Sequence, residues 1–167
     1  MGGVSGGDAP AALVLGVRMN DRKTILIDID HVLADAFARD DMLNGDWDSY
    51  HAAAANDLPV HDLVTIVNAF AAGGLRIIGL TARPGKWRTM TALWLYDHGI
   101  NLDEILMRDD LDYRSAPLVK LDLVRDYFGN DDEVRFHVAA LIDDRDDVIQ
   151  AFAGLGVTCL QAIVRRG

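Results

Sequence analysis

Cysteine is nearly absent. Of 167 residues only Cys159 carries a thiol, so no internal disulfide can form and no thiolate metal cluster can be assembled. Cys159 reads as a buried strand residue in a reducing compartment, and the expected location is cytoplasmic. Long apolar runs are missing too. The stretch from Ala11 to Val17 is too short to span a bilayer, and no basic segment precedes it, so neither a membrane anchor nor a secretory signal is expected. Basic charge is scarce: 16 Lys and Arg face 26 Asp and Glu, a net charge of -10. Tracking a nucleic-acid backbone requires Lys and Arg to displace counterions. Extended binding of that kind is therefore not expected, whereas a small anion held in a local positive site remains open.

The composition is half hydrophobic and one quarter charged, ordinary for one soluble domain with a real core. Residues 1–20, rich in Gly and small side chains, are expected to be a disordered extension, and 21–167 a single domain. Within it, strand-like and helix-like segments alternate. Ile25 to Ile27 is a buried strand. Ala34 to Asn56 reads as two short helices joined by a loop, a small cap insert at about 35–58 lying over the end of that strand. Val60, Leu63, Val64, Val67 and Phe70 follow helical spacing, closed by Gly73 and Gly74. Leu75 to Leu80 is a second strand, Lys86 to His98 a helix, Leu102 to Met107 a third strand and Arg108 to Ser115 a charged loop. Ser115 and Pro117 open a helix that runs from Leu118 to Phe128. Phe136 to Ile142 is the fourth strand, a helix follows through Phe152, and Val157 to Val164 is the last strand. Such alternation predicts an α/β fold, a Rossmann-like parallel sheet flanked by helices.

In sheets of that class, ligands sit beyond the carboxyl ends of the strands. Four separate stretches put polar groups there: Asp28 and Asp30 after the first strand, Thr81 and Arg83 after the second, Lys120 near a helix start, and Asp143 and Asp144 after the fourth strand. Asp28 and Asp30 are two apart in an extended chain and face one side. Unpaired carboxylates so crowded repel one another, and the arrangement is reasonable if a divalent cation or a reacting group lies between them.

These residues resemble the four motifs of the haloacid dehalogenase superfamily of phosphotransferases, over roughly Thr24 to Val164. They are Asp28-Ile-Asp30-His-Val32, Thr81, Lys120 and Asp143-Asp144. Within it the chain is most similar to the 3′-phosphatase domain of phage-type polynucleotide kinase-phosphatases. That likeness rests on Thr81-Ala-Arg83-Pro, on Leu106-Met-Arg108 with Asp112-Tyr-Arg114, and on Ile142-Asp-Asp-Arg145. Arg39 falls where that phosphatase places a substrate-contacting arginine. The opening from Asp28 to Asp35 is also similar to deoxyribonucleotide 5′-phosphatases.

The resemblance implies a magnesium-dependent phosphomonoester hydrolase. Asp28 would be the nucleophile and Asp30 the general acid and base. Lys120 and Thr81 would bind the phosphate. Mg2+ would be held by Asp28, Asp143, Asp144 and the Asp30 main-chain carbonyl. Arg39, Arg83 and His31 are candidate substrate contacts, although salt bridging around the acids would explain the two arginines equally well. His31 occupies the position where the family usually has Gly, and Ala116 replaces an acid found four residues before the lysine. The implied partner is a phosphorylated nucleotide or oligonucleotide end. A 5′-mononucleotide phosphatase, or a nucleotide-binding protein with reduced catalysis, are the alternatives; membranes are not expected as partners and homo-oligomerisation stays open. Gly79 to Lys86 lacks the spacing of a phosphate-binding kinase loop, and Trp87 stands where Ser or Thr would be.

Overall fold

The alternation of Ile25, Leu26 and Ile27 is what builds both halves of the core. The computed structural model describes residues 23–42 and 45–164; the extension expected over 1–20 lies outside them. Strand β1, Thr24–Ile27, is buried along its whole length. Ile25 and Ile27 point to one face of the sheet and Leu26 to the other, as the two-residue period of a strand requires.

Five parallel strands form the sheet. They are β1, β4 (Arg76–Pro84), β5 (Glu104–Arg108), β6 (Val138–Asp143) and β7 (Cys159–Gln161), in the order β5-β4-β1-β6-β7. A second, two-stranded antiparallel ribbon pairs β2 (Ala34–Asp35) with β3 (Leu58–Pro59) and closes the base of the cap. On one sheet face Ile25, Ile27, Ile77 and Ile142 pack with Val64 and Val67 of α2 (His61–Ala72) and with Trp94 and Leu95 of α3 (Arg88–Asp97). On the other, Leu26, Ile78, Leu80 and Leu141 pack with Val124 of α4 (Ala116–Phe128) and with Val148 and Phe152 of α6 (Asp146–Leu155). Each such aliphatic side chain contributes about 1.5–3 kcal/mol by leaving water. The order places β1 in the middle. After β1 the chain builds outward through β4 and β5, then crosses back to β6 and β7. The reversal point is therefore the carboxyl end of β1, flanked by β4 and β6, where ligands settle in open α/β sheets.

The expected cap is a 3-10 segment, Phe37–Met42, followed by α1, Trp47–Ala53. Several boundaries differ from the sequence expectation; β4 runs on to Pro84 rather than ending at Leu80, so Thr81 and Arg83 lie in the strand and not after it. Phe136 belongs to a helix, α5 (Asp131–His137), and the fourth strand begins only at Val138. Asn130 caps this helix by accepting from the Asp132 and Glu133 amides, three acids fill its first turn and Arg135 and His137 its last. Those charges match both ends of the helix dipole. The final strand covers only Cys159–Gln161 rather than Val157 to Val164. It lies at the sheet edge beside β6, whose pairing with it stops at Asp143. No helix among the described residues is long and apolar enough to cross a membrane.

Candidate active site

Asp28 follows β1 directly, and its amide donates to the Ile142 carbonyl at 2.9 Å. That bond continues the β1–β6 ladder by one residue and sets Asp28 beside Asp143, the last residue of β6. Lys120 comes from α4, the crossover between β5 and β6. Its Nζ lies 2.8 Å from Asp28 Oδ2 and 2.7 Å from Asp143 Oδ2. Lys120 is 1% exposed and Asp143 fully buried, so this is an ion triad removed from water. The other Asp143 oxygen accepts from the Arg145 amide at 3.0 Å. Thr81 sits on β4 on the opposite side of β1. Its hydroxyl oxygen accepts from the Arg83 amide at 3.2 Å, which leaves the hydroxyl hydrogen for an incoming oxygen.

The charges do not balance. Burial would lower the Lys120 pKa, but Asp28 and Asp143 outweigh it and raise it, so the ammonium stays charged. Burial pushes the Asp28 carboxyl up to about 8; Lys120 opposes the rise, and Asp143 and Asp30 add to it. Asp144 is likewise raised, by burial and then by Asp143. Oxygens of Asp28, Asp143 and Asp144 lie within 4.8 Å of one another. Asp144 Oδ1 is sealed from solvent with no hydrogen-bond partner among the described residues. Three crowded carboxylates, one ammonium and an orphaned carboxylate oxygen fit a hard divalent cation with oxygen preference.

Asp30 stands in a different environment. Its carboxylate accepts from Arg83 Nε at 2.9 Å and Nη2 at 2.6 Å, and from Arg39 Nη2. Burial alone would raise its pKa, but Arg83 and then Arg39 hold it well below the usual carboxylate range. The carboxylate is thus turned to the arginines, and it is not among the acids whose oxygens cluster as possible metal ligands, Asp28, Asp143 and Asp144. Arg39, 2% exposed, is fixed in turn by Asp57, which accepts from its Nε at 3.0 Å and its Nη2 at 2.8 Å. The Tyr50 ring lies 4.2 Å from the Arg39 guanidinium carbon. Arg83 also donates to Thr91 at 3.2 Å. Both candidate substrate arginines thus point at Asp30 from within the protein. Asp57, Tyr50 and Thr91 were not foreseen from the sequence; the one hint was an acid, Asp57, wedged between the alanine run and Leu58-Pro59.

His31 adopts φ 60°, the only positive value for a non-glycine among the described residues. This left-handed turn explains why Gly would be usual there. The His31 Nε2 lies 3.2 Å from Asp40, and its ring is 4.7 Å from that of Phe37. Asp147 pairs with Arg145 at 2.7 Å in the first turn of α6.

The model of the polynucleotide kinase PNKP phosphatase domain matches residues 22–165. The chain belongs to this family. Its structure is similar to a chain in the Pnkp1/Rnl/Hen1 complex, with 25% identity over 86% of this chain and 46% of that one and a TM-score of 0.72. A second structure, of the Pnkp1/Rnl/Hen1 RNA repair complex, gives 26% identity over 86% and 43%, with a TM-score of 0.70. The chain spans less than half the length of these relatives. L-2-haloacid dehalogenase from Xanthobacter autotrophicus shares the fold at 12% identity, covering 84% of this chain and 77% of its own, TM-score 0.60. No curated protein sequence matches the chain. The PNKP-family domain described here is a phosphatase of the haloacid dehalogenase fold, with its carboxylate cluster at the reversal point of the sheet.

Proposed function

We propose that the chain is a magnesium-dependent phosphomonoesterase that works through a phosphoaspartate on Asp28 and acts on phosphorylated nucleotide or polynucleotide 3′ ends. The observation that carries this reading is the buried Asp28–Lys120–Asp143 bridge with Asp144 beside it. Asp28 is a nucleophile only as the carboxylate, yet burial holds its proton on up to about 8. Asp28, Asp143 and Asp144, with the Asp30 carbonyl, would hold a divalent cation, whose positive charge would keep Asp28 ionised and offset the charge of a phosphate dianion.

With Asp28 ionised, one of its oxygens bonds to phosphorus while the bond to the leaving oxygen breaks. Lys120 and the Thr81 hydroxyl meet the phosphoryl oxygens as their charge spreads. Asp30 gives a proton to the leaving oxygen. It then takes one from the water that attacks phosphorus, releasing phosphate and restoring Asp28. The arginine pair suits the second step, because it stabilises Asp30 as a base. In the first step the incoming dianion works against the arginines and raises the proton affinity of Asp30.

Support for a polynucleotide end comes from the family match and from the relative named for an RNA repair complex. The net charge of -10 favours a short strand or a mononucleotide over a long one. The test is turnover of an aryl phosphate with Mg2+ and with EDTA, followed by comparison of a 3′-phosphorylated oligonucleotide with deoxynucleoside 5′-monophosphates. Magnesium-dependent turnover with preference for the oligonucleotide is expected. Equal, negligible turnover in both conditions refutes the enzyme; preference for the 5′-monophosphates refutes the 3′-end assignment.

A further inference from the structure

Arg108 closes β5 at the rim of the site and has no part in the phosphoryl transfer described above. Strand register fixes its place relative to Asp28. Ile27 pairs with Gly79 and Gly79 with Ile105, so Asp28 stands level with Leu106 and Arg108 lies two residues farther out. Only β4 separates β1 from β5, which puts about 10 Å of sheet between them at about 4.8 Å per strand. Leu26 and Leu106 pack on the same face of the sheet, the one covered by α4. The two-residue period of a strand carries that face on to Asp28 and to Arg108. The ladder is irregular on the β4 side, between Thr81 and Pro84, while β5 stays regular, so Arg108 keeps this orientation. Side-chain contacts agree. Lys120 of α4 meets Asp28 on this face, and Arg108 Nη1 donates at 3.0 Å to the main-chain carbonyl of Asp112, in the loop that leads into α4.

The charge of Arg108 is uncompensated. At the same edge Arg39 and Arg83 hold Asp30, Arg114 holds Asp112 and Asp122, and Arg145 holds Asp147. Arg108 is half-buried and forms no ion pair among the described residues. Withdrawing a cation from water costs free energy unless an anion offsets it. The guanidinium can also be reached. Nη1 is held by the Asp112 carbonyl and Nε is sealed, whereas Nη2 has no partner among the described residues and stays open to solvent. A guanidinium so fixed, with a free N–H at the surface, suits a phosphate oxygen. Lys120 and Thr81 already serve the reacting phosphate, so the anion for Arg108 is a second one. On a phosphorylated strand end, the second anion is the neighbouring phosphodiester.

We propose that Arg108 clasps, through Nη2, the phosphodiester one nucleotide in from the phosphorylated 3′ end. The clasp rests on the reading of the site as a phosphatase of nucleotide ends and narrows its substrate: a strand of two or more nucleotides is held better than a mononucleotide. One arginine serves one phosphodiester, which agrees with a chain too acidic to follow a long strand.

The experiment uses two dinucleotides that end in a 3′-phosphate, with Mg2+ present. One has an ordinary phosphodiester between its nucleosides, and the other an uncharged methylphosphonate. Both carry the same bases, so the ratio of their kcat/KM values reads the internucleotide charge alone. The wild type is expected to favour the charged linkage by roughly tenfold, mainly through KM. Arg108→Gln is expected to bring the ratio close to one. Arg108→Lys, which keeps the charge without the fork, is expected to retain part of the preference. A purely structural role slows both dinucleotides alike and leaves the ratio in place, an outcome that overturns the clasp. A wild-type ratio of one overturns it too. In both cases hydrolysis continues and the phosphatase reading stands; hydrolysis of neither dinucleotide by the wild type overturns that reading and the clasp with it.

Discussion

Replacing Lys120 by methionine removes the one cation that bridges two buried carboxylates while keeping most of the side chain's length. Its Nζ contacts Asp28 at 2.8 Å and Asp143 at 2.7 Å. Without it, two carboxylates about 4 Å apart repel by roughly 4 kcal/mol at an effective dielectric near 20. Stripping one partner from a buried ion pair costs about 3–5 kcal/mol by mutational experience. For a chain of this size that corresponds to a Tm roughly 6–20 °C lower. The loss has a pH signature. Asp28 already has a raised pKa in the folded state. A raised carboxyl contributes stability below its unfolded pKa and loses it as pH rises through the folded value. Removal of Lys120 raises Asp28 further, so the two native states bind different numbers of protons only as pH passes about 8, and the deficit of Lys120→Met is expected to grow from about pH 7 to above about pH 9. Magnesium is expected to counter it: at about 100 times its dissociation constant, a ligand of the native state adds about 2.7 kcal/mol. The assay is thermal melting of both proteins at about pH 7 and about pH 9.5, on either side of the Asp28 value, with Mg2+ and with EDTA. A variant whose Tm deficit is the same at both pH values and indifferent to Mg2+ refutes the charge argument for this site.

The other predictions are simpler. Asp28→Asn is expected to lose turnover of an aryl phosphate while keeping its circular dichroism spectrum and Tm, because burial already disfavours the ionised form; undiminished turnover removes Asp28 as nucleophile. Arg83→Met leaves Asp30 with Arg39 alone and raises its proton affinity; since kcat/KM covers the step in which Asp30 gives up a proton, the alkaline limb of the profile is expected to move up by about one unit or more; a limb that stays put shows that Asp30 does not set it. His51 is neutral in the fold, at about 4 against 6.5 for a free imidazole. Its native pKa being the lower one, its share of stability is present above pH 6.5 and lost as pH falls through 4. His51→Phe is expected to remove at most about 3 kcal/mol of acid sensitivity between pH 7 and pH 4, read from urea unfolding; equal sensitivity in both proteins refutes the assignment.

Much was legible in the sequence because its signals are local. The Ile25–Ile27 run, the apolar spacing of α2, and Gly73 and Gly74 at its end state their own periods and stops. Carboxylates, Thr81 and Lys120 at strand and helix ends were legible for the same reason: a parallel sheet delivers all its strand ends to one edge. The strand expected at Phe136 failed because its apolar residues compete with the Asn130 cap, whose hydrogen bonds fix α5 up to His137.

The sequence alone determined a parallel α/β sheet, a small cap and a cluster of acids, lysine and threonine at one edge. The tertiary structure alone decided which charge faces which: Lys120 toward Asp28 and Asp143, Arg39 and Arg83 toward Asp30, and Asp57 behind Arg39. It also brought His51 and Trp87 together, 36 positions apart in the chain. Secondary structure is written in neighbours a few residues apart, whereas ion pairs between buried groups depend on how helices and strands dock. Docking is set by the whole core at once, and no single motif encodes it.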